Sequence, residues 1–262
     1  MKEKNESDCW GDLDTALRSG MNRVLLYGQP GTGKTYYALT KWLDRDDLPN
    51  RRAVRVLCAP DMTTADVDGM WKPNKDDWKF ALGSAFRAFS DGSRLILDEL
   101  DQASGDVLTA LLMYCDSNAS AVRDHPETGD EVRPHKHFEI IATTNAERLS
   151  DLPSNLLDRF PIRINIDTIN PEALLALENP YLREVAQNYS TRSGESRYSL
   201  RSFLAFEHLA NSDDVDQATA LRLVFRDEAS AIGEAVEVLR LARGKHGAIT
   251  EQELEHKKVI GY

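Results

Sequence analysis

Cysteine is scarce. Cys9, Cys58 and Cys115 are odd in number and far apart, which excludes a disulfide framework and a cysteine metal knuckle and fits a reducing compartment. Long apolar runs are missing too. No window approaches the roughly 18 consecutive apolar residues of a membrane span, and residues 1–10 (MKEKNESDCW) have no apolar core of the kind that marks a secretory leader. The expectation is a cytoplasmic protein with no membrane segment. Positive charge is in deficit, with a formal net charge of −11. Non-specific nucleic-acid binding depends on clustered Lys and Arg that displace counterions, so a broad nucleic-acid face is disfavoured, although a narrow basic pore built by several copies stays open. Internal repeats and low-complexity tracts are absent from the sequence. What remains is a chain of 262 residues, 41% hydrophobic and 29% charged, sized for one large domain or a core with a smaller companion.

Within it stands Gly28-Gln29-Pro30-Gly31-Thr32-Gly33-Lys34-Thr35. It follows the apolar run from Val24 to Tyr27 and leads into a helical stretch, 36–43, with Leu39, Trp42 and Leu43 on one face. Strand, glycine-rich turn and helix in that order give a G-x-x-x-x-G-K-T match its mechanism. Gly28, Gly31 and Gly33 let the backbone curl so that N–H groups point inward at phosphate oxygens, and the start of the helix at Tyr36 adds partial positive charge. Lys34 would reach the β- and γ-phosphates, and the Thr35 hydroxyl would ligate Mg²⁺. The expected ATP-binding set is Gly28, Pro30, Gly31, Thr32, Gly33, Lys34, Thr35 and Tyr36.

Hydrolysis needs more than binding. The run Arg94-Leu95-Ile96-Leu97-Asp98-Glu99-Leu100-Asp101 is a buried parallel strand that delivers acids to the ligand edge of a sheet. Asp98 would join Thr35 at Mg²⁺. Glu99, one residue further along an extended chain, would face differently and polarise the attacking water; the alternative is a pair of solvated strand-end acids. Asp101 reads as a loop or cap carboxylate. Asn145 closes the strand 138–144, where its amide could contact the γ-phosphate and the water, or simply turn the chain. Arg159, in Leu156-Leu157-Asp158-Arg159-Phe160, either pairs locally or reaches from the subunit edge into a neighbour's nucleotide. Arg201 falls in the first turn of a helix capped by Ser199, a position that favours a nearby anion. A phosphate would serve, as would Glu195 or Glu207.

Five apolar strands are legible, ending near Tyr27, Ala59, Asp98, Thr144 and Ile166. Residues 9–19, 79–90 and 104–116 have helical spacing, the last with Ser104 as a cap. Residues 60–78 read as irregular, and 120–137 as an exposed hairpin around Thr128-Gly129-Asp130. After Asn170-Pro171 no strand is evident. Helices are expected at 171–178, 181–191, 199–210, 214–225, 228–243 and 250–257. The domain division is therefore 1–170 and 171–262.

These residues, in this order, resemble the AAA+ ATPases: Walker A (GQPGTGKT), Walker B (LILDELD), sensor 1 (IIATTN), arginine finger (LLDRF) and sensor 2 (SLRS). The insert at about 61–78 and the hairpin at about 120–137, with its ETG-x-x-V setting before FEIIATTN, resemble the MoxR-type branch, near the dynein-related and CbbQ/NorQ-like proteins. The resemblance implies an α/β fold: a P-loop core with a parallel five-stranded sheet flanked by helices, then a smaller all-α lid. It implies an ATPase whose catalytic groups are Lys34, Glu99, Asn145 and Arg159, with Thr35 and Asp98 on Mg²⁺ and Arg201 reading nucleotide state. It further implies a homo-oligomeric, usually hexameric ring that remodels a protein partner, often one with a von Willebrand factor A domain. The alternative is a motor acting on nucleic acid. Three features allow two readings. Trp71 and Trp78 could grip a substrate or pack on a neighbour. Trp10 could lie near adenine or pack. His125, His135 and His137 could hold a metal or be solvated loop residues.

Overall fold

The computed structural model describes residues 8–244 except 45, 47, 76, 104 and 191–196. The chain divides after Ala173 into two compact units.

The first unit begins with α1 (Cys9–Arg18), capped by Asp8, whose carboxylate accepts the Gly11 N–H at 3.0 Å. Then come β1 (Arg23–Tyr27), α2 (Lys34–Thr40), β2 (Ala53–Leu57), α3 (Thr64–Asp68), β3 (Gly69–Asn74), β4 (Asp77–Leu82), α4 (Ser84–Asp91) and β5 (Arg94–Asp98). They are followed by α5 (Gly105–Cys115), β6 (Arg123–Asp124), β7 (Glu131–Val132), β8 (Glu139–Thr143), α6 (Ser154–Leu157), β9 (Ile162–Asn165) and, at the division, α7 (Pro171–Leu174). Five strands form one parallel sheet in the order β2-β5-β8-β1-β9, as expected for the α/β core. β5 and β8 are buried at every position, the condition of central parallel strands covered on both faces. One face packs Leu25, Leu95, Leu97 and Ile140 against α4 and α5 through Phe86, Phe89, Leu111 and Tyr114. The other packs Val24, Leu26, Ile96 and Ile141 against Trp10, Leu13, Leu17 and Tyr37.

Two expectations for residues 60–90 are corrected. Residues 60–78 are not irregular throughout, and the helix expected at 79–90 starts only at Ser84. In their place α3 leads into an antiparallel ribbon, β3 with β4, in which Trp71 pairs with Phe80 and their rings meet edge-on at 5.5 Å. Phe80, Gly83 and Phe86 satisfy helical spacing, but pairing with β3 claims Phe80. Gly83 is the hinge, because a Cβ there would lie 2.2 Å from the Val67 carbonyl oxygen. The ribbon's faces differ: Trp71, Pro73, Trp78 and Phe80 share one side, and Lys72 lies opposite Lys79 on the other. At the ribbon's foot Asp68 accepts from Arg123 at 2.8 and 2.9 Å and from the Tyr114 hydroxyl. This ties the first insertion to the β6–β7 hairpin.

α2 ends at Thr40 rather than at Leu43. Trp42 turns left-handed (φ 53°), with its indole N–H on Asp14 at 2.6 Å. Arg94, fully buried in β5, donates to the carbonyls of Ala38, Lys41 and Trp42 at 2.8, 2.5 and 3.0 Å, closing the helix's C-terminus. Arg94 and Arg51 both pair with Glu139. Burial raises the Glu139 carboxyl's affinity for a proton, but the two guanidinium groups outweigh it and hold it below the usual range. Ser104 lies outside the described residues.

The second unit contains α8 (Pro180–Ser190), α9 (Leu200–Ala210), α10 (Gln217–Phe225) and α11 (Ala229–Gly244). Phe225 is its centre, with the rings of Phe203, Tyr198 and Phe206 at 5.0, 5.1 and 5.4 Å. Asp216 caps α10 through the Thr219 N–H at 2.9 Å. The helix expected at 250–257 lies outside the described residues.

Candidate nucleotide site

A parallel sheet brings all its carboxyl ends to one edge. The register pairs Leu57 with Asp98, Leu26 with Thr143 and Tyr27 with Asn165, so the loops after β1, β5 and β8 open together.

The loop after β1 is shaped by its glycines. Gly28, Gly31 and Gly33 have φ of 123°, 77° and 100°, values that strain any side-chain-bearing residue. A Cβ on Gly28 would meet the Ile166 carbonyl oxygen at 2.6 Å. Buried Lys34 folds back into the loop, its Nζ donating to the carbonyls of Gly28 and Gln29 at 2.7 Å each. Thr32 is buried and its carbonyl accepts the Asn170 N–H at 2.8 Å. Tyr36 points outward and is exposed.

Asp98 ends β5 almost wholly buried. Its Oδ1 accepts from the Thr35 hydroxyl at 2.7 Å and from the Thr143 hydroxyl. Its Oδ2 accepts from Arg55 Nε at 2.9 Å and from a second guanidinium nitrogen. Burial raises this carboxyl's pKa, but bonds from Thr143, Thr35 and Arg55 together hold it below the ordinary carboxylate value. A hydroxyl and an ionised carboxylate in contact form an all-oxygen donor pair that suits Mg²⁺.

Glu99 is not extended, as the sequence suggested. Its backbone is left-handed (φ 57°, ψ 47°), a conformation uncommon for a non-glycine residue and concentrated at functional sites. That turn, rather than strand pleating, swings its carboxylate away from Asp98. Its N–H donates to Thr143 Oγ1 at 3.2 Å, and its Oε1 accepts from the Asn145 amide at 3.2 Å. Thr143 thus holds both acids. Lys34, Thr35, Asp98, Glu99 and Asn145 gather at one sheet edge, joined by Thr143 and Arg55, which the sequence did not single out.

Two arginines remain. Arg159 is held by its own chain: Nε donates to the Leu112 carbonyl and faces Asp116, both at 3.1 Å, and a terminal nitrogen donates to the Asn155 carbonyl at 2.8 Å. Its side chain stays 32% exposed. Arg201 is exposed in the first turn of α9, in the second unit. Ser199 occupies the N-cap position without a side-chain cap bond, contrary to expectation. Glu207, one proposed partner of Arg201, instead accepts the N–H groups of Glu178 and Asn179 at 2.9 and 2.7 Å. Glu195 lies outside the described residues.

Trp10 packs, buried, on Tyr37 with ring centres 5.3 Å apart, its N–H on the Thr168 carbonyl at 3.3 Å. Trp71 and Trp78 are exposed. His125 stacks edge-on to Phe86 at 5.1 Å, and His135 lies beside His137.

Comparison with known proteins agrees with this geometry. Midasin from Dictyostelium discoideum is 30% identical over 135 residues, 51% of this chain and 2% of that much longer protein. NtrX from Brucella abortus shares the fold, with a TM-score of 0.56 at 16% identity over 80% of this chain and 53% of that one. The pattern of the AAA domain, dynein-related subfamily, matches residues 23–160, more than half of the chain, from the first strand through Phe160. On that match the chain belongs to the dynein-related subfamily of AAA domains, a family of ATPases.

Proposed function

We propose that this chain binds ATP with Mg²⁺, hydrolyses it at the junction between subunits of a homo-oligomeric ring, probed first as a hexamer, and uses the cycle to remodel a protein partner. The observation that carries the reading is the joint placement of Asp98 and Glu99 by Thr143, with Asn145 on the Glu99 carboxylate. In this scheme the glycine loop and Lys34 bind the phosphates, while Thr35 and Asp98 hold the metal, which when bound supplies charge neutralisation on the phosphate oxygens. Glu99 accepts the proton of a water whose oxygen bonds to the γ-phosphorus as the bond to the ADP oxygen breaks. Asn145 fixes that carboxylate. Arg159, a third exposed at the surface, is offered to a neighbour's nucleotide after giving up its own-chain contacts. Arg201 reports nucleotide state from the second unit. The resemblance to MoxR-type proteins favours a chaperone-like activity and a partner with a von Willebrand factor A domain.

One observation favours a second reading, a motor on single-stranded nucleic acid: the exposed aromatic side of the β3–β4 ribbon with lysines on its reverse offers bases a stacking platform. The net charge of −11 weighs against it. Glu99→Gln tests the main reading. It should retain ATP, stabilise the ring in sizing experiments and cut turnover by about a hundredfold or more. Unchanged turnover refutes the base assignment. Wild-type turnover that rises on adding single-stranded DNA, and not with protein partners, selects the motor.

A further inference from the structure

Asp98 poses an electrostatic problem that the neutral Thr35 and Thr143 hydroxyls on its Oδ1 do not solve. Its side chain is 6% exposed, and a buried carboxylate without a counter-charge is costly. A divalent cation solves this only while it is bound. Here the counter-charge comes from Arg55, a residue outside the nucleotide motifs. Both guanidinium contacts fall on Oδ2, while Oδ1 is shared by the Thr35 and Thr143 hydroxyls. The four acceptor positions of the carboxylate are therefore filled.

Arg55 also has somewhere else to go. It stands on β2, the edge strand of the sheet, opposite Ile96 and two residues short of the Leu57–Asp98 pair. Its side chain is 46% exposed. It borders an open cleft of about 460 Å³ that Asp61 and Asp66 also line. Asp66 belongs to α3, the foot of the β3–β4 ribbon.

We propose that Arg55 is a positioning residue that competes with Mg²⁺ for Asp98: it neutralises the carboxylate before nucleotide arrives and is released toward Asp61 and Asp66 when metal binds. Two cations on one carboxylate repel, so metal entry beside Thr35 at Oδ1 loosens the Arg55 fork on Oδ2. The chain thereby holds its metal affinity below what Thr35 and Asp98 alone would give. It also converts metal entry into a movement at the base of the exposed ribbon. This rests on the reading that Thr35 and Asp98 hold the metal of a bound nucleotide.

The test uses the full chain, ADP and Mn²⁺ as a paramagnetic probe, with free Mn²⁺ counted by electron paramagnetic resonance. Arg55→Met should bind Mn²⁺ in the presence of ADP at least about tenfold more tightly than wild type, since a charge-assisted fork no longer opposes it. Arg55→Lys, with one compact charge, should fall between. ADP affinity in EDTA should be the same in all three, because the phosphate loop is untouched, and matching thermal melts establish that the variants fold. Equal or weaker Mn²⁺ binding by Arg55→Met overturns the inference alone. Mn²⁺ that binds neither wild type nor variant, or that binds Thr35→Ala as well as wild type, overturns the metal-site reading and this inference with it.

Discussion

Glu139→Met should unfold the first unit at markedly lower denaturant. The Glu139 side chain is 4% exposed, and the two guanidinium groups it neutralises, Arg94 and Arg51, are both at 0%. Methionine keeps much of the volume and removes the charge, leaving two buried cations without their carboxylate. Breaking a buried ion pair by removing one partner costs about 3–5 kcal/mol. With a urea dependence of about 3 kcal/mol per M for a unit of this size, the midpoint should drop by roughly 1–2 M. The assay is tryptophan fluorescence in urea: all four tryptophans (Trp10, Trp42, Trp71 and Trp78) lie in the first unit, so the second unit does not contaminate the signal. Acidity supplies a sign check. Glu139 has a folded pKa below its unfolded value, so its contribution is complete above the unfolded carboxyl value of about 4.3 and is lost as pH falls through the folded one. The gap between wild type and variant should therefore be full at pH 7 and close in acid. Replacing Arg51, Arg94 and Glu139 together by apolar residues should recover part of the loss, but not all. The carbonyls of Ala38, Lys41 and Trp42 would still lose Arg94. A midpoint shift under about 0.3 M for Glu139→Met, or a gap that widens in acid, refutes the reasoning.

Thr143→Val removes the hydroxyl that bonds both Asp98 and the Glu99 backbone; ATP turnover should fall by about tenfold or more while ADP binding in EDTA is retained, measured by phosphate release and calorimetry. Equal turnover would show that the two acids are held without it. Arg159→Ala should cost about 1 kcal/mol of stability through its lost bonds to Leu112 and Asn155. If it acts in a neighbour's site, mixing it with Glu99→Gln should restore a fraction of turnover that neither variant shows alone; a mixture as inactive as its parts refutes the trans role.

What could be read from sequence alone divides along a physical line. The glycine loop is legible because its chemistry is carried by eight consecutive residues, and a local motif dictates a local backbone. The sheet is legible because β5 and β8 are apolar enough to be buried on both faces. The ribbon is hidden in the sequence because Phe80, Gly83 and Phe86 fit a helical period, while the pairing of Trp71 with Phe80 is a tertiary fact that overrides propensity. Glu99 is legible as an acid, but nothing beside it marks its left-handed turn. Arg55, Thr143, Arg94 and Glu139 share a deeper reason for staying hidden. Each meets its partner across the sheet: Arg55 and Thr143 reach Asp98 from strands on either side of β5, and Arg94 pairs in register with Glu139. Carboxylates that bind a ligand lie in recognisable runs, whereas the cations and hydroxyls that compensate them are chosen by register. Register exists only once the strands have paired. A charged residue inside an otherwise apolar strand is therefore the one trace such partners leave. In this chain Arg55, Arg94 and Glu139 all bear it, Arg55 in the middle of β2 and Arg94 and Glu139 side by side where β5 and β8 begin.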